Sequence, residues 1–154
     1  MEQVERTRRY LKRMRDIYNA VPYLPDSRDY YLDDVHSFFV HCYHVRDWIL
    51  HLNRLGLEAA AIDHFINAHE ELRICADLCN GAKHCEREQR PKTGRQPHIA
   101  QWSFISNASN DDMRTTRGKF TILSNGRPFD ALELAERCMA LWDGFIADLA
   151  HISK

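Results

Sequence analysis

Apolar residues recur along this chain in two rhythms, one of three and four residues and one of two. Val4, Thr7, Leu11, Met14 and Tyr18 keep the first, which predicts a helix with a single buried stripe. Its other faces carry Arg6, Arg8, Arg9, Lys12, Arg13 and Arg15. Pro22 and Pro25 are expected to end it, because proline lacks the amide donor and clashes with the preceding turn. Asp26 or Ser27 can cap the helix that follows. The same rhythm runs unbroken from about Tyr30 to Leu52, with Val35, Phe38, Phe39, Cys42, Val45, Ile49 and Leu52 as its core face, until Gly56 interrupts it. A short helix is expected from Ala59 to Ile66. Another is expected from about Glu70 to Arg87, with Leu72, Cys75, Ala76, Leu78, Cys79 and Ala82 inward.

Pro91, Gly94 and Pro97 mark a change to the second rhythm. From Ile99 to Ile105, Trp102 and Phe104 alternate with Gln101 and Ser103, a strand pattern. Asn107 to Asp112 is polar and turn-like, Phe120-Thr121-Ile122 alternates again, and Ser124-Asn125-Gly126 is a turn signal. A two-stranded antiparallel ribbon is the simplest account. Pro128 suits a first helical turn, and Asp130 with Glu133 has capping-box spacing. Leu134, Cys138, Leu141, Phe145, Leu149 and Ile152 then form one stripe, flanked by Trp142. The expectation is a mainly α fold: one domain over residues 1–154, a four- to five-helix bundle with a small β-hairpin insertion at about residues 98–124, before the last helix.

Composition narrows the classes. A chain of 154 residues suits one domain, and at this length roughly 68–70% of the unfolded surface can be buried. With 44% hydrophobic and 28% charged residues it fits neither a disordered nor a membrane-embedded chain. Lys+Arg 21 against Asp+Glu 22 excludes a histone-like polycation, so nucleic-acid contact would need a local basic patch. No stretch approaches 18 uncharged apolar residues, and the charged opening MEQVERTRRYLKRMRD lacks the apolar core of a secretory signal. Cysteine is odd in number (Cys42, Cys75, Cys79, Cys85 and Cys138), and three of the five fall in amphipathic patterns rather than in a loop-rich framework. A reduced, cytoplasmic protein with no membrane partner is expected.

Candidate chemistry collects on two helices. Arg73, Asp77, Asn80 and His84 follow steps of four, three and four, which places them on one face beside the apolar stripe. The plain reading is a solvated face with Arg73–Asp77 as an i,i+4 pair. The functional one is a site, and Gly81 bears on it. Glycine costs about 1 kcal/mol in a helix interior, so another backbone or a ligand approaches closely there, or the helix kinks. On the Tyr30–Leu52 helix, His36, His44, Asp47 and His51 lie opposite the core and His41 nearer its edge. His44, Asp47 and His51, spaced three and four, are either part of a Zn or Fe site or a His-rich polar surface. No HExxH pattern and no second ExxH helix accompany them. Cys75 with Cys79, or His84 with Cys85, could also ligate, but packed cysteine is the simpler account. Arg46 sits at the edge of the buried stripe. It either snorkels to solvent or needs an acidic partner or an anionic ligand, Asp77 being available if the two helices are neighbours. Basic residues cluster in the first helix and again at Lys83, Arg87, Arg90, Lys92 and Arg95, compatible with phosphate contacts or with solvated faces.

The segments Cys42-Tyr43-His44-Val45-Arg46-Asp47-Trp48-Ile49 and Ile74-Cys75-Ala76-Asp77-Leu78-Cys79-Asn80-Gly81-Ala82-Lys83-His84, with Phe129-Asp130-Ala131 and Cys138…Trp142, resemble an uncharacterised family of small bacterial helical proteins over most of the chain. That resemblance carries no assigned activity. The string Cys79-Asn80-Gly81-Ala82-Lys83-His84 is also similar to the Arg-Asn-x-x-x-His hallmark of HEPN domains, with Cys79 where the arginine stands. HEPN domains are helical bundles, often dimeric, and many are metal-independent ribonucleases of toxin and antiviral systems. The resemblance implies a homodimer acting on RNA through its 2′-hydroxyl without a cofactor. His84 would move protons near neutrality. Asn80 would orient the phosphate or the imidazole, and Arg73, Arg46 or Lys83 would replace the missing arginine beside Asp77. Lys83, Arg87 and Arg90 would bind the RNA backbone. The alternatives are a non-catalytic HEPN-like partner of an antitoxin or defence-system protein, which Cys79 favours, and a metal protein built on His44, Asp47 and His51.

Overall fold

The structure, a computed structural model, describes residues 2–21, 28–52, 56–83, 90–108 and 114–152. Its elements in chain order are α1 (Glu2–Tyr18), α2 (Arg28–Tyr43), α3 (Val45–His51), α4 (Ala59–Ala68), α5 (Glu70–Lys83), β1 (His98–Ala108), β2 (Arg114–Ser124), β3 (Arg127–Asp130) and α6 (Ala131–Ile152). The mainly α fold with its β insertion before the last helix is as the two rhythms require. No described helix is long and apolar enough to cross a membrane.

α2 is the central helix, packed against α1, α5 and α6. Val35, Phe38, Phe39 and Cys42 of α2 meet Val4, Leu11 and Met14 of α1, Ile74 and Cys75 of α5, and Leu134, Cys138 and Trp142 of α6, all buried. Phe38 and Phe39 meet edge to face, 5.1 Å between centroids. Five of the six basic residues of α1 form ion pairs: Arg6 with Glu2, Arg8 with Glu5 and Asp143, Lys12 with Asp16, Arg13 with Asp34 and Arg15 with Glu136.

The expected helix from Tyr30 to Leu52 is in fact two, divided at His44. The cause is crowding on one acceptor. The Val40 carbonyl receives the His44 amide at 3.2 Å, the His44 ring Nδ1 at 2.6 Å and, more distantly, the Cys79 thiol from α5. A side chain inserted into the i→i−4 ladder bends a helix at that point. Leu52, expected in the core, is 42% exposed beyond this break. Ala82, expected inward, is exposed as well. The helix expected to reach Arg87 is described to Lys83, and Pro22, Pro25, Asp26 and Ser27 lie outside the described residues.

The ribbon has three strands, in the order β1-β2-β3, all antiparallel. β2 alternates strictly: Thr116, Gly118, Phe120, Ile122 and Ser124 are buried on the helices, while Arg117 and Lys119 face solvent. Gly118 is required by a close crossing, since a Cβ there would stand 2.7 Å from Ile17 Cγ2 and 2.9 Å from Phe104 Cε1. Tyr18 ties the end of α1 to the same strand, its hydroxyl accepting from the Phe120 amide (3.0 Å) and donating to the Phe120 carbonyl (3.2 Å). Ser124 and Arg127 pair across Asn125 and Gly126, whose φ values of 48° and 80° make a type I′ turn. Pro128 therefore sits in edge strand β3, where no ladder donor is needed, and not in the first turn of α6. Asp130 caps α6 as expected, Oδ1 accepting from the Leu132 and Glu133 amides at 3.0 and 3.1 Å, while Glu133 pairs with Arg137.

Candidate functional site

The polar stripe of α5 faces the loop that leads into β1. Asp77, read as a candidate site residue and partner for Arg46 or Arg73, is 0% exposed. Its Oδ1 accepts the Lys92 amide at 2.9 Å, and its Oδ2 accepts the Thr93 amide at 2.8 Å and the Thr93 hydroxyl at 2.9 Å. These backbone donors belong to the turn Pro91–Gly94, closed by the Gly94 amide on the Pro91 carbonyl. Asp77 thus does for this turn what a capping residue does for a helix end. It gives the Lys92 and Thr93 amides an acceptor that the loop does not supply.

Gln96 completes the attachment by donating Nε2 to the Asp77 carbonyl at 2.7 Å. Its amide fills the space left by Gly81, where a Cβ would lie 2.9 Å from Gln96 Cδ. The close approach expected at Gly81 is real, and the group approaching is a side chain of this chain.

Arg46 does need an acid, but the acid is Asp63 of α4 rather than Asp77. Nε and Nη2 form a fork with Oδ1 and Oδ2 at 2.6 and 2.9 Å, and Nη1 reaches Asp47 at 3.1 Å. Hydrogen bonds to Asp63 hold Arg46 protonated beyond its ordinary range. In return the Arg46 guanidinium holds the Asp63 carboxyl below the usual carboxylate range. Arg73 does not pair with Asp77 either; its Nη1 donates to the Asn67 carbonyl at 2.8 Å, at the end of α4. Lys92 Nζ donates to the Asn67 side chain at 2.8 Å and also lowers Asp63 electrostatically.

The result is a polar surface shared by α3, α4, α5 and the 90–97 loop. It contains Arg46, Asp47, Asp63, Asn67, Arg73, Asp77 and Lys92, with Arg90 and Arg95 exposed on the same loop. Of the candidate site residues, Arg46, Arg73 and Asp77 are brought into this assembly by structural bonds. Asn80 is half-buried one turn beyond Asp77, Lys83 closes α5, and His84 and Arg87 lie outside the described residues. Cys79, at the position where the HEPN hallmark has arginine, is 0% exposed and turned toward the Val40 carbonyl.

His44, Asp47 and His51 do not converge. The break at His44 parts them from the single helix their spacing assumed, and the His44 ring is engaged with Val40. Among the described residues the group that does converge is Cys42, Cys75 and Cys138, whose Sγ atoms all lie within 4.8 Å of one another. Burial pushes the Cys75 and Cys138 thiols up, and each donates to a backbone carbonyl, Phe39 and Glu71 respectively, at 3.4 Å. Sequence reasoning placed each cysteine on an inward stripe but missed their meeting. It missed Asp63, Asn67, Thr93 and Gln96 too, whose roles depend on neighbours distant in sequence. Compared with protein-family models, curated proteins and solved structures, the chain matches none.

Proposed function

We propose that this chain is an HEPN-like module that binds RNA through the cationic surface beside the C-terminal half of α5 and does not cleave it. The observation that carries the reading is the attachment of the 90–97 loop to α5 by Asp77 and Gln96. It holds the loop bearing Arg90, Lys92 and Arg95 against α5, where Lys92 and Arg73 both bond Asn67, so the loop's cations and Arg73 share one patch. Cations fixed in this way suit a phosphate backbone, whose contacts release counterions and weaken with salt. Cleavage would need a cation at the phosphorane. The position the hallmark reserves for it is the buried Cys79, and two of the three stand-ins, Arg46 and Arg73, are engaged with Asp63 and Asn67. The resemblance adds a homodimer, and the buried free thiols fit a reducing cytoplasm.

The test is fluorescence anisotropy with a mixed RNA pool in excess EDTA. Binding is expected to weaken linearly in log–log salt plots, and Arg90→Ala and Lys92→Ala are each expected to reduce the slope by about 1. An absence of binding at low salt overturns the reading. Cleavage to 2′,3′-cyclic phosphate ends that disappears in His84→Ala overturns its non-catalytic half. A second reading, a protein-interaction module of a toxin–antitoxin or defence system, is favoured by Trp102 (49% exposed) and Ile105 (61% exposed) on β1. It predicts that Trp102→Ala and Ile105→Ala abolish capture of a partner protein while leaving RNA binding intact.

A further inference from the structure

Three helices each bring one cysteine to a single point in the core. Cys42 of α2, Cys75 of α5 and Cys138 of α6 are fully buried, with all three Sγ atoms within 4.8 Å of one another. Thiolates bonded at about 2.3 Å to a common pyramidal centre sit roughly 3.5 Å apart, so a contraction of at most about 1.3 Å would bring the three sulfurs onto one ion. A second observation points the same way. The Trp142 indole Nε1 is buried facing the Cys42 sulfur, which it approaches as a donor without reaching full hydrogen-bond geometry. A neutral thiol is a weak acceptor and satisfies that donor poorly, whereas a metal-bound thiolate accepts strongly and is itself tuned by such a donor.

The surroundings select the ion. The carboxylates that act on the cluster, Asp143 on Cys42 and Glu71 on Cys138, are themselves paired with Arg8 and Arg137, so the charge at the site is set by its own three sulfurs. Three thiolates around a monovalent or divalent ion leave net negative charge in a dry core, which is costly. Zinc would also require a fourth ligand, and the converging group among the described residues has three. Three thiolates on a trivalent centre carry no net charge. We propose that Cys42, Cys75 and Cys138 form a three-coordinate site for a trivalent thiophilic ion, the chemistry shared by arsenite and antimonite. In the arsenite case each As–OH bond is replaced by an As–S bond. Each thiol proton leaves with a hydroxide as water, three waters are released, and no electron is transferred. With the sulfurs enclosed, the ion enters only when the helices part, so loading is slow and accelerates in sub-denaturing urea.

The experiment incubates the fully reduced chain with arsenite alone and, in parallel, with antimonite alone or Zn(II) alone, followed by native mass spectrometry and X-ray absorption. One arsenic per chain with the loss of three hydrogens, three sulfur neighbours and no oxygen neighbour is the expected result. Antimonite should give the matching adduct and zinc none. Cys138→Ser should abolish the adduct and Cys79→Ser should retain it. Should Cys138→Ser fail to fold, the neighbour count in the wild-type chain decides alone. No adduct, two sulfurs with an oxygen, an adduct surviving in folded Cys138→Ser, or equal loading by zinc overturns the proposal.

Discussion

Replacing Asp77 by alanine separates a positioning role from a chemical one. The carboxylate accepts three hydrogen bonds, from the Lys92 amide, the Thr93 amide and the Thr93 hydroxyl, at 2.8–2.9 Å. A bond to a charged group contributes about 1.5–3 kcal/mol, and an amide left buried without an acceptor adds its desolvation cost. Lys92 is exposed and Thr93 half-buried, so water can reach the abandoned donors and the sum falls short of three full bonds. Asp77→Ala should therefore destabilise the fold by about 3–5 kcal/mol. For a chain of this length that lowers Tm by roughly 6–20 °C. Asp77→Asn keeps one oxygen and turns an NH2 toward the other donor, so it should lose about half as much. The assay is urea denaturation with amide hydrogen exchange. The Lys92 and Thr93 amides should be protected in the wild-type chain, both should exchange freely in Asp77→Ala and one of the two in Asp77→Asn, and Thr93→Val should be less than additive with Asp77→Ala because the two share a bond. An Asp77→Ala variant within about 0.5 kcal/mol of wild type, with unchanged exchange at Lys92 and Thr93, would refute the reasoning and return Asp77 to the candidates for chemistry.

Three further outcomes follow from the packing. Gly81→Ala gains helix propensity of about 1 kcal/mol but expels the Gln96 amide from its bond to the Asp77 carbonyl. It should be more stabilising by about 1 kcal/mol in a Gln96→Ala background than in wild type, and equal effects in the two backgrounds would contradict the assigned contact. Gly118→Ala drives a methyl against Ile17 and Phe104 and should cost about 1–3 kcal/mol by denaturation, part of it recovered by Ile17→Val. The Tyr18 phenol is pushed up to about 12, chiefly by burial. A group whose folded value exceeds its unfolded value of about 10 stabilises the fold below pH 10, and that contribution is lost as pH rises from about 10 to 12. The stability of Tyr18→Phe should be flatter over that window, while a wild-type phenol titrating near 10 by absorbance would contradict the burial.

Each local demand written in the sequence was legible, and what answers it was not. The stripes of α1, α5 and α6 follow from spacing alone, because a helix positions its own side chains. Arg46 at the edge of a buried stripe left open whether it reaches solvent or an acid, and the acid it meets is Asp63 on α4, brought there by helix packing that no spacing along one helix encodes. Gly81 announced a close approach, and the group that fills it, Gln96, comes from a loop reading as polar punctuation. The break at His44 escaped detection for the same reason. Its neighbours have good helical periodicity, and the division arises where a histidine ring and an α5 thiol load the Val40 carbonyl. Pro128 has a residue preference shared by a helix start and an edge strand, and only the turn through Asn125 and Gly126 decides between them. The three cysteines carry the argument furthest. Each was readable as a small apolar residue on its own stripe, and three such readings are all correct. Their chemistry lies in the order in which α2, α5 and α6 pack, which turns three separate core positions into one cluster of donors. The same holds for the 90–97 loop and α5, which share one polar surface because Asp77 draws Lys92 and Thr93 onto the helix. A site assembled from elements distant in the chain is therefore best sought where a buried polar group accepts bonds from another segment's backbone.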